Sequence, residues 1–228
     1  MEKINTLLQV SFIAITILVV LQFYRASNKS KPFLIIISLW MALQLIIVKT
    51  GFYANTEAIP PRLMLQLAPT LIFIVTLFLT ARGRNFIDTL DIRQLTLLHT
   101  VRIPVEIILF YLFAANTIPQ IMTFEGRNFD IVAGLSAPVI FYFGFVKHQI
   151  SRKAILIWNL LSLGLLINIL LIAVLSAKTP FQQFALNETN IALGYFPFNW
   201  LPSVVVPIVL LSHLATLRQL MRNLNQIN

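Results

Sequence analysis

Long apolar runs separated by short polar segments dominate the chain, and seven of them approach the length needed to cross a bilayer. A transmembrane helix needs about 20 mostly apolar residues. The runs are apolar on every side and do not alternate in polarity, so helices are favoured over the strands of a membrane barrel. We therefore predict an all-α, polytopic transmembrane bundle in one domain, 1–228, with seven helices near 4–24, 33–53, 63–81, 101–121, 129–147, 154–177 and 199–217.

The composition agrees with this pattern. Hydrophobic residues make up 58% of the chain and charged residues 11%, with a mean hydropathy of +0.84. A soluble domain is typically about 25% charged. The sequence thus predicts an integral membrane protein of the cell (inner) membrane, with the lipid bilayer as its main partner. No cysteine is present, which removes disulfides, thiol nucleophiles and cysteine-ligated metals.

Lysine and arginine are distributed unevenly between the two sets of loops. If the spans alternate in direction, 12 of the 17 basic residues lie near 25–31, 82–102, 147–153 and after 217. Cytoplasmic loops carry an excess of basic residues, so the N-terminus is predicted outside and the C-terminus in the cytoplasm. The same rule accounts for the net charge of +9. We therefore expect no nucleic acid as a partner.

The approach to the fourth span holds the main candidates for a binding site. The segment 85–100 is amphipathic and is predicted to form a cytoplasmic helix that runs into the membrane. At about 100° per residue, one stripe of this helix collects most of its titratable side chains. These are Asp88, Asp91, His99, Arg102 and Glu106.

Glu106 is the one acidic residue clearly inside a predicted span. A charged side chain at the bilayer centre costs roughly 2.5–3.5 kcal/mol on insertion scales, so it needs a partner. Arg102, one turn earlier, is the expected ion-pair partner. One interpretation is a structural clasp between these two residues. The other is a site for a substrate or coupling ion, with His99 feeding protons from the cytoplasm.

Asp130 and the remaining histidines complete the set of candidate residues. Asp130, at the start of the fifth span, either stabilises the helix N-terminus or helps to line an outer binding site. His99, His148 and His213 all map to the cytoplasmic half and offer an alternative zinc site. None of the three shares a local metal-binding spacing with another, so we expect no metal and no cofactor.

The function predicted from these features is that of a carrier or permease for a small solute. Kinked spans, an intramembrane acid and two triplets of spans joined by the fourth support this hypothesis. The arrangement is similar to the three-plus-one-plus-three plan of SWEET-type sugar transporters, in topology and length only. A lipid-acting membrane enzyme built on the three histidines and Glu106 is one alternative, although no catalytic motif favours an enzyme. A non-catalytic sensor or assembly partner is another, and the sequence predicts no oligomeric state.

Overall fold

The protein is all-α over the residues that its computed structural model describes, which are 4–55, 62, 64–179 and 181–225, and 76% of it is helical. The predicted fold class is confirmed to this extent. The α-helices of this part are α1 (Thr6–Ala26), α2 (Lys31–Lys49), α3 (Met64–Leu79), α4 (Ala81–Asp88), α5 (Ile92–Leu98), α6 (Arg102–Ala114), α7 (Asp130–Ile140), α8 (Arg152–Leu175) and α9 (Val206–Asn225). Position 63, the predicted start of the third span, lies outside the described residues.

Five helical segments are long and apolar enough to cross a membrane. They are Thr6–Ala26, Lys31–Lys49, Ile92–Ala114, Arg152–Leu175 and Leu201–Arg222. The pair α3 and α4 passes the same test together but bends by 92° at its junction, and Asp130–Val146 is a shorter apolar helix. Several apolar helices of membrane-spanning length are therefore shown, and the count lies below the seven predicted unless the last two segments also cross.

The outer surface of the bundle is strongly apolar. Leu7, Leu79 and Leu161 are 70%, 73% and 68% exposed. Soluble monomers rarely carry large contiguous apolar patches, so such helices favour lipid as their surroundings. The helices differ in how much of them is buried. In the apolar stretch of Leu201–Arg222, 61% is buried inside the bundle, whereas in that of Lys31–Lys49 only 11% is buried. The helix around α9 is therefore central to the bundle, and α2 lies at its edge.

The fourth apolar helix begins earlier than the sequence pattern indicates. It runs from Ile92 to Ala114 and tightens to a 3₁₀ turn at His99–Val101, between α5 and α6. Pro104 lies just after this turn and has no N–H to donate to the carbonyl of Thr100, which weakens regular α-helical bonding there. The helix that was predicted at 101–121 is therefore shifted toward the N-terminus. Arg102 lies near its middle and not at its end.

The predicted amphipathic helix at 85–100 is wrong as a continuous element. α4 starts after an N-cap at Thr80, whose hydroxyl accepts from the Gly83 N–H, and it ends at Asp88. A separate helix, α5, starts after the N-cap Asp91. The break separates Asp88 from the stripe that holds Glu106, because a helical stripe is preserved only while the helix is continuous.

Asp88 instead links the C-terminal end of α4 to α9. The guanidinium of Arg218 donates two hydrogen bonds to its carboxylate, at 2.8 and 3.0 Å, and Arg222 contacts it as well. These contacts lower the pKa of the Asp88 carboxyl, chiefly through the hydrogen bond from Arg218. Gln219 adds hydrogen bonds to the carbonyls of Ile87 and Leu90, at 2.8 and 2.9 Å.

Asp88→Asn is expected to lower the free energy of unfolding by about 1 kcal/mol, since partly exposed ion pairs contribute little more than this. The contribution of a carboxylate with a lowered pKa is fully present above about pH 4 and is lost as the pH falls through its native value. Unfolding of the purified protein at pH 7 and at lower pH measures both effects. Glu125→Gln, at an exposed acid without an ion-pair partner in the described structure, is the control.

Two helices near the centre contain wider, π-helical turns beside a proline. Phe141–Val146 continues α7 after Pro138, and Leu201–Val205, which includes Pro202, leads into α9. A proline in a helix removes one backbone hydrogen bond, and the neighbouring backbone adjusts to it. Turns of this kind are frequent at functional sites. Here they lie on the two helices that carry Asp130 and His213.

Candidate functional site

A cluster of polar side chains lies buried in the apolar interior, where helices α6 to α9 meet. Each member is at most 6% exposed. The cluster comprises His99, Arg102, Glu106, Asn128, Asp130, Asn159 and His213. All four residues predicted from the sequence as a substrate or ion site, His99, Arg102, Glu106 and Asp130, belong to it. In an apolar interior such groups must find partners within the protein, so their contacts define the site.

Arg102 is the hub of the cluster. Its Nη1 lies 3.2 Å from Asp130 Oδ1 and donates a hydrogen bond to the carbonyl of Ser162 at 3.1 Å. Its Nη2 lies 2.9 Å from Nε2 of His213. The contact with Asp130 is an ion pair by distance, without an N–H aimed at the oxygen. The expected pairing of Arg102 with Glu106 is therefore corrected, because the salt bridge runs across to α7 and not along α6.

The contacts of His213 determine its protonation state. A guanidinium has N–H donors and no acceptor, so Nε2 of His213 must accept the hydrogen bond from Arg102. The ring is therefore neutral, with its proton on Nδ1, which donates to Oδ1 of Asn159 at 2.8 Å. The Asn159 amide returns a hydrogen bond to the carbonyl of His213 at 3.1 Å. Together these bonds fix α8 against α9.

His99 lies directly on the His213 ring. Their centroids are 3.9 Å apart with the planes inclined by 17°, and the ring of Trp158 packs against His99 in a T-shaped arrangement, with centroids 5.8 Å apart. His99 is completely buried, and neither of its ring nitrogens has a hydrogen-bond partner among the described residues. An unsatisfied buried polar group costs about 1–3 kcal/mol. His99 is therefore held in place by packing, with both nitrogens able to bond a ligand.

Glu106 is bound by an asparagine that the sequence argument did not single out. The Asn128 amide donates to Glu106 Oε1 at 2.6 Å and to the carbonyl of Met122 at 3.1 Å, while its Oδ1 accepts from the Asp130 N–H at 3.1 Å. Oε2 of Glu106 has no partner within the described part of the chain. The feature of the sequence that could have indicated Asn128 is its position two residues before Asp130, because an asparagine there commonly caps the start of a helix through its side-chain oxygen.

The charges of the cluster do not balance. Arg102 supplies one positive charge, Glu106 and Asp130 supply two negative charges when ionised, and His213 is neutral. His99 is buried without an acidic partner, which favours its neutral form, so it adds no charge. α8 contributes only uncharged groups, Asn159 and the Ser162 carbonyl. A buried charge without compensation is strongly unfavourable. The arrangement is therefore chemically suited to hold one proton or one small cation beside the carboxylates.

The alternative zinc site is not assembled. His99 and His213 are stacked and completely buried, whereas His148 is exposed in the turn before α8. No group of three histidine or acidic residues within the described ranges is arranged to hold a metal ion. The structure thus brings two of the three histidines together, as neighbours in a polar network, and leaves the third apart.

A comparison with known proteins gives one match. Residues 59–221 match a protein family described as a domain of unknown function, DUF8737. No curated protein and no solved structure matches the chain. The matched segment includes every member of the buried cluster and leaves out α1 and α2. The cluster therefore lies within the family's own region.

Proposed function

We propose that this chain, which belongs to the DUF8737 family, is a multi-pass membrane carrier for a small solute, coupled to one proton or monovalent cation. Its binding site is the buried cluster around Arg102. The observation that carries the proposal is the excess of one carboxylate over the single guanidinium inside an apolar bundle. Ionisable residues within membrane helices commonly mark substrate and ion pathways.

The proposed topology has seven crossings, with the N-terminus outside and the C-terminus in the cytoplasm of the cell membrane. Support comes from five long apolar helices, the broken α3–α4 pair and the shorter Asp130–Val146 helix, which add up to seven. Basic residues gather on the face that holds α4 and the turn before α8, which is the distribution expected of a cytoplasmic side.

Within this site, Glu106 and Asn128 hold the coupling ion. The free Oε2 of Glu106 has lone pairs for a proton or cation, and the amide of Asn128 fixes the orientation of the other oxygen. Arg102 keeps the second carboxylate, Asp130, paired while the ion exchanges. Loading of the ion removes the charge imbalance, which makes the closed form of the cluster more stable.

The solute binds next to the coupling ion, on the side of His99. The two free ring nitrogens of His99 offer one donor and one acceptor when the ring is neutral. The apolar interior around them favours a small solute with few polar groups. The π-helical turns of Phe141–Val146 and Leu201–Val205 flank the cluster on two helices, and they supply places where these helices can bend during opening.

The cluster is almost closed to solvent, with Glu106 2% exposed. A carrier passes through such an occluded form between its two open forms. The same closure also fits a non-catalytic sensor or assembly partner, in which the polar network only joins the helices. The two functions differ in one measurable property, which is solute-dependent movement of protons or cations across the membrane.

Glu106→Gln is expected to abolish this movement and to leave the fold intact. The glutamine carbonyl still accepts the hydrogen bond from Asn128, but the side chain no longer takes up a proton and has no negative charge to attract a cation. The measurement uses proteoliposomes that contain a pH-sensitive dye or, in parallel samples, a sodium-sensitive dye, challenged in turn with amino acids, sugars, carboxylic acids and amines, with and without sodium. At least one class should drive a flux in the wild type that falls to background in the variant.

Glu125→Gln serves as the matched control, because it removes an exposed acid of the segment before α7 and should transport normally. Unfolding of both variants in detergent verifies that the fold is kept. Transport by Glu106→Gln at the wild-type rate would remove the proposed ion site. Failure of every solute class to drive flux in the wild-type protein would favour the sensor or assembly role.

A further inference from the structure

A second polar site lies at the basic end of the bundle, away from the buried cluster. A cleft of about 360 Å³ opens between the start of α5, the turn Phe141–Val146, the start of α8 and α9. Arg93, Arg152 and His148 contribute its basic groups, and the partly exposed Ile92, Phe145 and Ile150 contribute its apolar wall. The volume is at the lower end of the range typical of small-molecule sites.

The two arginines of the cleft have no carboxylate partner. Arg218 and Arg222, on the same basic face, both pair with Asp88. Neither Arg93 nor Arg152 has an acidic side chain within 4.0 Å anywhere in the described structure. Asp91 also lines the cleft, but its Oδ1 accepts the Arg93 backbone N–H at 2.9 Å, as the N-cap of α5. Two guanidinium groups are thus free for an external anion.

The N-terminus of α8 adds to the positive potential of the cleft. This helix is 24 residues long, and its N-cap Ser151 accepts only the Ala154 N–H, at 3.2 Å. The N–H groups of the first turn carry partial positive charge and bind anions. Arg152 is the first residue of α8 and also lines the cleft. The cleft therefore combines two planar guanidinium groups and a helix N-terminus, and their N–H donors together suit the oxygens of a phosphate group.

We propose that this cleft binds the phosphodiester headgroup of an anionic membrane phospholipid. The apolar wall decides between a lipid and free phosphate, because Ile92, Phe145 and Ile150 are partly exposed and offer contacts to a glycerol backbone and the first methylenes of an acyl chain, which inorganic phosphate lacks. Basic clefts between helices on the cytoplasmic side bind such headgroups in other membrane proteins. A zwitterionic choline headgroup is disfavoured, because its ammonium group would face the two arginines.

This inference is independent of the carrier proposal, because the cleft shares no residue with the buried cluster. The probe is phosphatidylglycerol, titrated into the full-length protein in detergent and followed by native mass spectrometry. Phosphatidylcholine of the same chain length and inorganic phosphate are titrated in parallel. We expect one tightly bound phosphatidylglycerol, weaker binding of phosphatidylcholine, and no displacement of the lipid by millimolar phosphate.

The double variant R93Q/R152Q should lose about tenfold in affinity for phosphatidylglycerol per arginine, the size expected of a charge-assisted hydrogen bond. The matched control K31Q/R82Q removes two exposed positive charges elsewhere on the basic face and should keep the affinity within about twofold, as expected when no direct contact is lost. The variant R93K/R152K keeps the positive charges but loses the planar guanidinium groups, which can donate two parallel hydrogen bonds to a phosphate. Its affinity for phosphatidylglycerol is expected to lie between those of the wild type and R93Q/R152Q.

Three outcomes would overturn the proposal. Equal loss of affinity in R93Q/R152Q and K31Q/R82Q would mean that only the overall positive face attracts the lipid. Equal binding of phosphatidylcholine and phosphatidylglycerol would mean that headgroup charge is not recognised. Displacement by inorganic phosphate would assign the cleft to a free anion. Because the two arginines are exposed, all variants should fold, and circular dichroism of each sample verifies this.

Discussion

Arg102→Gln is expected to destabilise the protein by about 3–5 kcal/mol, the cost of removing one partner of a buried ion pair. Asp130 would be left in an apolar surrounding without the guanidinium at 3.2 Å, and either staying charged or taking up a proton there costs free energy. His213 Nε2 would also lose its donor, unless the new amide reaches it. Thermal or chemical unfolding of the purified protein in one detergent measures the change. Arg82→Gln, at an exposed arginine, should change stability by less than about 0.5 kcal/mol.

The double variant R102Q/D130N separates a structural ion pair from a general loss of packing. It removes both charges, and two neutral amides of similar size replace them. Since a buried pair is often no more stabilising than a neutral replacement, we expect it to recover much of the stability lost in Arg102→Gln. The coupling energy from this double-mutant cycle should be at least about 1 kcal/mol. Strict additivity of the two single variants would show that Arg102 and Asp130 do not interact energetically.

Gly134→Ala is expected to have the second-largest effect, a destabilisation of about 1–3 kcal/mol, as for other overpacked positions. Gly134 lies in α7 where it contacts the start of α6. A Cβ there would lie 2.9 Å from Ile103 Cγ1, 3.0 Å from the Ile103 backbone nitrogen and 3.1 Å from Arg102 Cβ. Because one of these atoms belongs to the backbone, α6 and α7 must separate. The separation would act on the two residues that form the salt bridge, so solute-driven flux should fall as well.

Gly164→Ala is the matched control for this substitution. Gly164 lies within α8, is exposed, and an added Cβ would meet no atom within 4 Å. Alanine is favoured over glycine in a helix interior by up to about 1 kcal/mol, so this variant should be as stable as the wild type or more stable. Unfolding of both variants under one condition tests the pair. Equal stability of Gly134→Ala and Gly164→Ala would contradict the close contact between α6 and α7.

The sequence and the structure differ most informatively at Arg102. Helical spacing predicts Glu106 as its partner, since positions four residues apart lie on one face. The salt bridge is instead made by Asp130, which is 28 positions away in the chain. Glu106 takes its hydrogen bond from Asn128. Local spacing shows which side chains can meet within a helix, but it cannot rank them against a partner from a neighbouring helix.

The histidines illustrate the same point. The sequence placed His99, His148 and His213 in one half of the bundle, and only the packing of the helices shows which of them meet. The ring of His99, which begins the turn His99–Val101, stacks on His213 of α9. The neutral state of His213 follows from its contacts with Arg102 and Asn159. No feature of the sequence indicates that state.

The amino-acid sequence alone determines the helical class of this protein, the position of its apolar segments and the presence of ionisable groups among them. These properties follow from composition and from runs of neighbouring residues. The tertiary structure decides where the fourth apolar helix begins, which carboxylate pairs with Arg102, and which polar atoms stay free for a ligand. These depend on distances between groups far apart in the chain, and such distances are set when all the helices pack together.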